Sequence, residues 1–384
     1  MRYTIPAAAL LGFATLLAEP SAAQEKPVAL SDDLPPPPAG FTGRTGATKE
    51  RLLKAHGGTK ESELAVARGL EWLAKQQKKD GGWVYDGGDR DETAAATGMG
   101  ALAFLGAGHG HKQGKYQKTV KGGIDWLVKN QNPDGKFLGA KNMYGQAIAT
   151  LALVECYGLT KDRAVQRPAQ AALNYIQKGQ AADGSWGYQA GTNGDTSILG
   201  WQVQALNAAQ LAGDLVVDPK VLAKAVEFLD RVGGPKKDTY GYSSPPGAAG
   251  TSLTAIGLWC RAAVGGWKPT EGVAAGAEKM LERAPRTGAP LGETYFYYYA
   301  TLLVRNVGGK AWEKWNEGPE VDGKRAGGLR DALVGLQVAK LGPYSGSWDP
   351  DPGFIGRHCG RLGTTAMCVL VLEVYYRYPP PPRK

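Results

Sequence analysis

One segment recurs along this chain with a period of roughly 50 residues, the size of a helical hairpin unit in repeat proteins. Arg68-Gly69-Leu70-Glu71-Trp72-Leu73 leads to Gln77 and then Asp80-Gly81-Gly82-Trp83. Gly123-Ile124-Asp125-Trp126-Leu127 leads to Gln131 and Asp134-Gly135-Lys136-Phe137, and Ala172-Leu173-Asn174-Tyr175-Ile176 leads to Gln180 and Asp183-Gly184-Ser185-Trp186. Degraded copies begin at Ala225, Ala277 and Asp331 and end at Tyr240-Gly241-Tyr242, Gly292-Glu293 and Gly346-Ser347-Trp348, for about six units. A unit of this size cannot bury its apolar face alone. Its neighbours must supply the rest of the core.

Each unit holds two helices of different character. The helix before the Asp-Gly loop is amphipathic, as in residues 64–73, with apolar positions at helical spacing and charges between them. The helix after the loop is apolar on nearly every side, as in residues 147–154 and 364–372. Such a helix has to be surrounded by other helices. Alternation of the two, with strand signals nearly absent, predicts an all-α fold: an α/α toroid of about six hairpins, an inner ring of helices inside an outer ring. Within the loop, glycine accepts the positive φ of a helix cap. The glutamine one turn earlier is placed to bond freed backbone groups under the Trp or Phe, which makes the motif a structural staple.

The ends differ from this body. Arg2, an apolar stretch over residues 5–17 and Ser21-Ala22-Ala23 have the form of a signal peptide over residues 1–23, so the protein is expected to be exported to the periplasm or beyond the cell. Residues 24–48 form a Pro-rich linker, the toroid is expected over residues 49–378, and residues 379–384 are a Pro-rich tail. With 43% hydrophobic and 21% charged residues the chain is globular in composition, and its four cysteines are too few for a disulfide scaffold. The formal charge of +9 suits peripheral contact with an anionic membrane or an acidic glycan. Nucleic acid is not an expected partner, since no basic block with interleaved aromatics occurs.

Gly-x-x-Trp-Leu-x-x-x-Gln-x-x-Asp-Gly-x-Trp, as at residues 69–83, resembles the repeat of squalene–hopene cyclases and of the protein prenyltransferase β-subunit superfamily. The chain also resembles the standalone, exported prenyltransferase/squalene oxidase repeat proteins of planctomycete-type bacteria. Further matches are Gly106 to His111, Gly194 to Gln202, Ala255 to Arg261, Tyr297 to Thr301 and Gly360 to Ala366. The resemblance implies a terpenoid cyclase toroid, active residues at the mouth formed by the inner-helix N-termini, and an isomerase or intramolecular transferase activity on an apolar or isoprenoid small molecule. It implies no cofactor.

Asp89-Arg90-Asp91-Glu92-Thr93-Ala94 lines up with the Asp-x-Asp-Asp-Thr-Ala element of class II triterpene cyclases, with Glu in place of the last Asp. By that likeness Asp91 is the acid that protonates an alkene, and Glu92 and Asp195 are further catalytic candidates. The residues also admit a plainer reading: Asp89-x-x-Glu92 has the spacing of a helix capping box, and Asp195 suits an N-cap. In Tyr295-Phe296-Tyr297-Tyr298-Tyr299, five consecutive aromatics cover every side of one inner helix, so some must face the central cavity. Tyr295, Tyr298, Trp201 and Trp259 are the ligand-binding candidates, because aromatic walls hold carbocations, sugars and apolar ligands.

No metal site is assigned, and whether His109 with His111, or Cys260 with His358 and Cys359, bind one stays open. The zinc of the prenyltransferases would fall at Gly250-Thr251-Ser252 and Gly360-Arg361-Leu362-Gly363, which offer the wrong residues. His109-x-His111 lacks a third ligand nearby, and Cys260, His358 and Cys359 are spaced unlike a known zinc set. Three functions stay open: a terpenoid-cyclase-like protein, a non-catalytic envelope binding or scaffold protein, and a carbohydrate-active α/α-toroid enzyme.

Overall fold

The computed structural model describes residues 40–245, 247–267 and 270–378. The expected signal peptide, most of the expected linker and the terminal Pro-rich tail lie outside the described residues. Amphipathic helices α1 (Gly46–Ala55), α2 (Lys60–Gln76), α4 (Gln117–Lys129), α6 (Arg163–Lys178), α8 (Pro219–Val232) and α10 (Glu271–Met280) lie outside. They bury only one side, for instance Val165, Ala169, Ala172, Leu173 and Ile176 of α6. α3 (Thr93–Gly106), α5 (Met143–Thr160), α7 (Thr196–Ala212), α9 (Ser252–Val264), α11 (Thr294–Val307) and α14 (Phe354–Leu372) form the inner ring. In α3 every residue from Ala94 to Gly106 is buried, as an apolar helix without a polar side requires.

Each inner helix packs on the next, and α14 returns to α3, so the ring closes. Two outer helices, α12 (Gly309–Glu317) and α13 (Leu329–Leu336), flank a two-stranded antiparallel ribbon, Glu320–Val321 with Lys324–Arg325, and α13 packs on α2. A short helix, α15 (Val374–Arg377), follows α14.

The repeat motif is the staple that the sequence suggests. Gln77 Nε2 donates to Gly81 O in its own loop (2.7 Å) and to Thr119 O at the start of the next outer helix (2.8 Å). Gln131 and Gln180 do the same toward Pro168 O (3.0 Å) and Val221 O (2.8 Å). Gln337 reaches Ala65 O (2.8 Å), which ties the last unit to the first. Trp83, Trp186 and Trp348 cover these loops, each indole N–H donating to a carbonyl of its own outer helix. The loop glycine is obligatory: Gly135 has φ +94°, and a Cβ there would lie 2.0 Å from Ala171 O.

The folded body starts earlier than residue 49. Gly43 and Arg44 are buried and α1 begins at Gly46. Arg44 is drawn inward by the buried Glu155, to which its Nη1 donates at 2.7 Å. Around this pair the C-terminal end of the inner ring is filled. Arg377 Nη2 donates to Glu155 (2.9 Å) and its Nη1 to the Tyr298 hydroxyl (3.1 Å), while Tyr378 also donates to Glu155. Tyr298 donates in turn to Gln204 (2.7 Å), whose amide donates to Tyr299 (2.8 Å).

Candidate functional site

At the opposite end the ring is hollow. A cavity of about 740 Å³ opens among the N-termini of all six inner helices. Its apolar wall is made by Ala95, Met99, Ile148, Trp201 and Ile355, and its rim by tyrosines, Asp89, Glu293, Arg283 and His358. The hollow follows from the sequence locally: inner-helix starts carry small or polar residues such as Thr93-Ala94-Ala95 and Thr251-Ser252, which do not fill the axis. Trp201 is the floor. It stacks on Tyr295 (6.5 Å, 26°) and on Tyr298 (5.6 Å, 17°), the residue that anchors the polar network below.

Glu92 is the buried carboxyl of this wall, 6% exposed. It precedes the first turn of α3, but its side chain does not cap that helix. Its oxygens accept instead from the next unit, from the Lys141 backbone N–H (3.1 Å) and from Asn142 Nδ2 (2.7 Å). Burial pushes its pKa up to about 7; the Lys141 N–H opposes the shift and the Asp89 charge adds to it. A carboxyl with such a pKa holds and gives up a proton near neutrality. Beside it, Asp89 faces His358 Nδ1 at 3.3 Å, and Cys359 is buried, its thiol pushed up to about 12.

Residues 48–147 match the squalene-hopene cyclase C-terminal domain family. A squalene–hopene cyclase of Bradyrhizobium diazoefficiens is 29% identical over 212 residues, which cover 47% of this chain and 30% of that one. This chain is similar to the squalene–hopene cyclase and prenyltransferase-like superfamily. It spans less than a third of the length of the curated relatives it matches. Among solved structures, the α-1,6-mannanase of Salegentibacter sp. HEL1_6 has a TM-score of 0.58 at 13% identity, covering 82% of this chain and 98% of that one. A type II terpene cyclase from Scytonema has a TM-score of 0.51 at 10% identity, covering 83% and 98%. Both likenesses show the α/α toroid fold.

Within this cyclase-like toroid the expected residues separate. Asp91 lies outside the cavity wall: its side chain is 63% exposed and paired with Lys141. Burial, which a proton donor to an alkene needs, falls on Glu92 instead, because the turn before α3 points alternate carboxylates out and in. The capping box is not formed; Glu92 N–H donates to the Asp89 carbonyl (3.1 Å), not to its side chain. Asp195 is an N-cap, accepting from Ser197 N–H (2.8 Å) and Ile198 N–H (3.0 Å). Burial raises its pKa against the hydrogen bonds it accepts, and it does not line the cavity.

Of the four aromatic candidates, Trp201 and Tyr295 line the cavity, with Tyr295 Oη 3.0 Å from Ser197 Oγ. Tyr298 lies beneath the floor, and Trp259 packs edge-on against Trp267 and Tyr299, away from it. Sequence reasoning missed Tyr85, Tyr144, Tyr188 and Tyr242, which line the mouth from four loops and inner-helix starts. Their signal was present, since each lies within the stretch that joins a repeat loop to an inner helix or begins that helix.

The histidine pair also separates. His109 packs edge-on against Tyr116 (4.9 Å), whereas His111 lies between Asp162 (2.7 Å) and Cys156 Sγ (3.2 Å). Cys260 is fully buried in α9 and shares no site with His358 and Cys359. Thr251 caps α9, and Gly360 is the break within α14.

Proposed function

We propose that the protein takes the apolar body of an isoprenoid or similar small molecule into the central cavity, with Glu92 as the acid that transfers a proton to it. One observation carries this reading: an unfilled volume of about 740 Å³ walled by Met99, Ile148, Trp201 and Tyr295, with a buried carboxyl of pKa about 7 at its edge. The volume suits a drug-sized ligand, and an apolar wall with a few convergent polar groups is the usual form of such sites. Aromatic faces stabilise positive charge that develops after protonation. The reaction class is an isomerisation or cyclisation begun by proton transfer. Export, inferred from residues 1–23, belongs to the same proposal and places the ligand outside the cytosol.

A carbohydrate reading is supported by one different observation. Tyr188 and Tyr242 stand at the rim with 55% and 46% of their surface exposed, which suits stacking on sugar rings.

Trp201 makes the choice testable. Geranylgeraniol or squalene in mixed micelles, titrated against the protein, is expected to change tryptophan fluorescence in the wild type and not in Trp201→Phe. Incubation followed by mass spectrometry is expected to reveal a rearranged product that Glu92→Gln does not form. A fluorescence change with α-1,6-mannotriose and none with either isoprenoid would replace the first reading with the second.

A further inference from the structure

The sixth unit departs from the other five. Its inner helix, α14, is broken at Gly360, whose φ of +66° and ψ of −154° lie outside the helical region. A Cβ at Gly360 would lie 2.4 Å from Asp86 Oδ1 and 2.6 Å from Gly87 N, so the loop before α3 presses directly on the break. Asp86 Oδ1 accepts from Leu362 N–H (2.9 Å) and so caps the part of α14 that follows. Gly88 N–H donates to Arg357 O (2.9 Å) and Asp89 N–H to His358 O (2.8 Å). These bonds fasten residues 86–89 to residues 357–362, and they set the side chains of Asp89 and His358 next to each other although 269 positions separate them.

The result is an oriented imidazole. Asp89 Oδ1 and Oδ2 both lie 3.3 Å from His358 Nδ1, and the ring is stacked on Phe354 at 4.2 Å and 23°. A carboxylate at Nδ1 fixes the proton there and leaves the lone pair on Nε2. Among the described residues Nε2 has no hydrogen-bond partner, and the His358 side chain lines the cavity, 42% exposed. Glu92, three residues after Asp89, lines the same wall.

We infer that His358, held by Asp89, is a general base of this cavity and works as the counterpart of Glu92. The inference rests on the cavity reading above and adds its second half. Glu92 gives its proton to one atom of the bound molecule, and His358 Nε2 takes a proton from another carbon, whose C–H electron pair becomes the new double bond. The imidazolium then returns its proton to the Glu92 carboxylate, so no co-reactant is consumed and the class of reaction is an isomerisation. Asp89 is a positioning residue: it touches His358 and acts through it.

A probe independent of the isoprenoid tests the base. In 5-nitrobenzisoxazole a base removes the ring C–H proton, the electron pair completes a nitrile, and the N–O bond breaks to release a coloured nitrophenolate. The wild type is expected to accelerate this above heat-denatured protein, and His358→Gln and His358→Asn to lose about 100-fold or more of that rate. Asp89→Asn is expected to lose roughly tenfold or more, because the tautomer is no longer fixed. Long-range proton–nitrogen NMR is expected to find the Nδ1–H tautomer at His358 in the wild type and its loss in Asp89→Asn. No acceleration by the wild type, full rate in both His358 variants, or an Nε2–H tautomer in the wild type would overturn the inference. Failure of the isoprenoid titration with base activity intact would remove the ligand reading and leave the base standing.

Discussion

The two ends of the inner ring solve opposite problems with the same six helices. At the C-terminal end the axis is filled: Arg44, Glu155 and Arg377 are fully buried, bonded to one another and to Tyr298 and Tyr378. At the N-terminal end it is empty, and the carboxyl of Glu92 meets backbone and amide donors, with no cation on it among the described residues. Both carboxyls are buried, yet their pKa values move apart. Burial would raise Glu155, but the guanidinium groups of Arg377 and Arg44 hold it below the ordinary range. Burial does raise Glu92, because the donors that meet it carry no charge to answer its own. One end uses a carboxylate to hold the ring together, and the other keeps a carboxyl with no counter-charge on it among the described residues.

The sharpest way to break this contrast is to remove the charge from the filled end. Glu155→Gln takes from two buried guanidinium groups the carboxylate that both of them bond and is expected to cost about 3–5 kcal/mol in urea denaturation. Gly135→Ala acts on the staple between the units and is expected to cost about 1–3 kcal/mol, since alanine is strained at that φ and its Cβ meets the Ala171 carbonyl.

Glu92→Gln is expected to do less and with the opposite sign. Folded Glu92 keeps its proton up to pH of about 7, whereas the unfolded chain loses it from about 4.5. Wild-type stability should therefore fall relative to the variant as pH rises through that window and run parallel above it. His56 and His109, lowered by burial to about 3 and about 4 from 6.5, have the reverse dependence over a range that overlaps this window, in both proteins alike. The difference between variant and wild type, measured by denaturation at pH 4.5 and pH 8, isolates Glu92. Asp91→Asn is the smallest change: an exposed pair with Lys141 contributes little, so stability should stay within about 0.5 kcal/mol and isoprenoid binding should not move.

The filled and hollow ends were not equally legible in the sequence. The ring itself follows from periodicity, and the roles of Gln77, Gln131 and Gln180 follow from their fixed distance to the Asp-Gly loop, whereas Gln337 lies nine residues before its loop glycine. Tyr295 was legible as one of an aromatic run too long to be hidden on one side of a helix. Glu92 was nameable but not separable from Asp91, because the motif fixes order along the chain and not which carboxyl turns inward. Asp89 with His358 was not legible at all. Their approach depends on ring closure and on a helix break at Gly360, and no local pattern encodes either. Arg44 likewise gave no signal, since its partner Glu155 is 111 positions away.

Ring closure also bears on how the protein is made. A ribosome releases the first unit long before the last, so in the nascent chain α3 has α5 on one flank and nothing on the other. Gln337 must find Ala65, and Arg357 and His358 must find Gly88 and Asp89, after nearly the whole chain has been translated. Contacts of such sequence separation form slowly, because the entropy of closing the long loop is lost before any bond is made. The wall that carries Asp89 and His358 thus matures last, and products of interrupted translation are born without it.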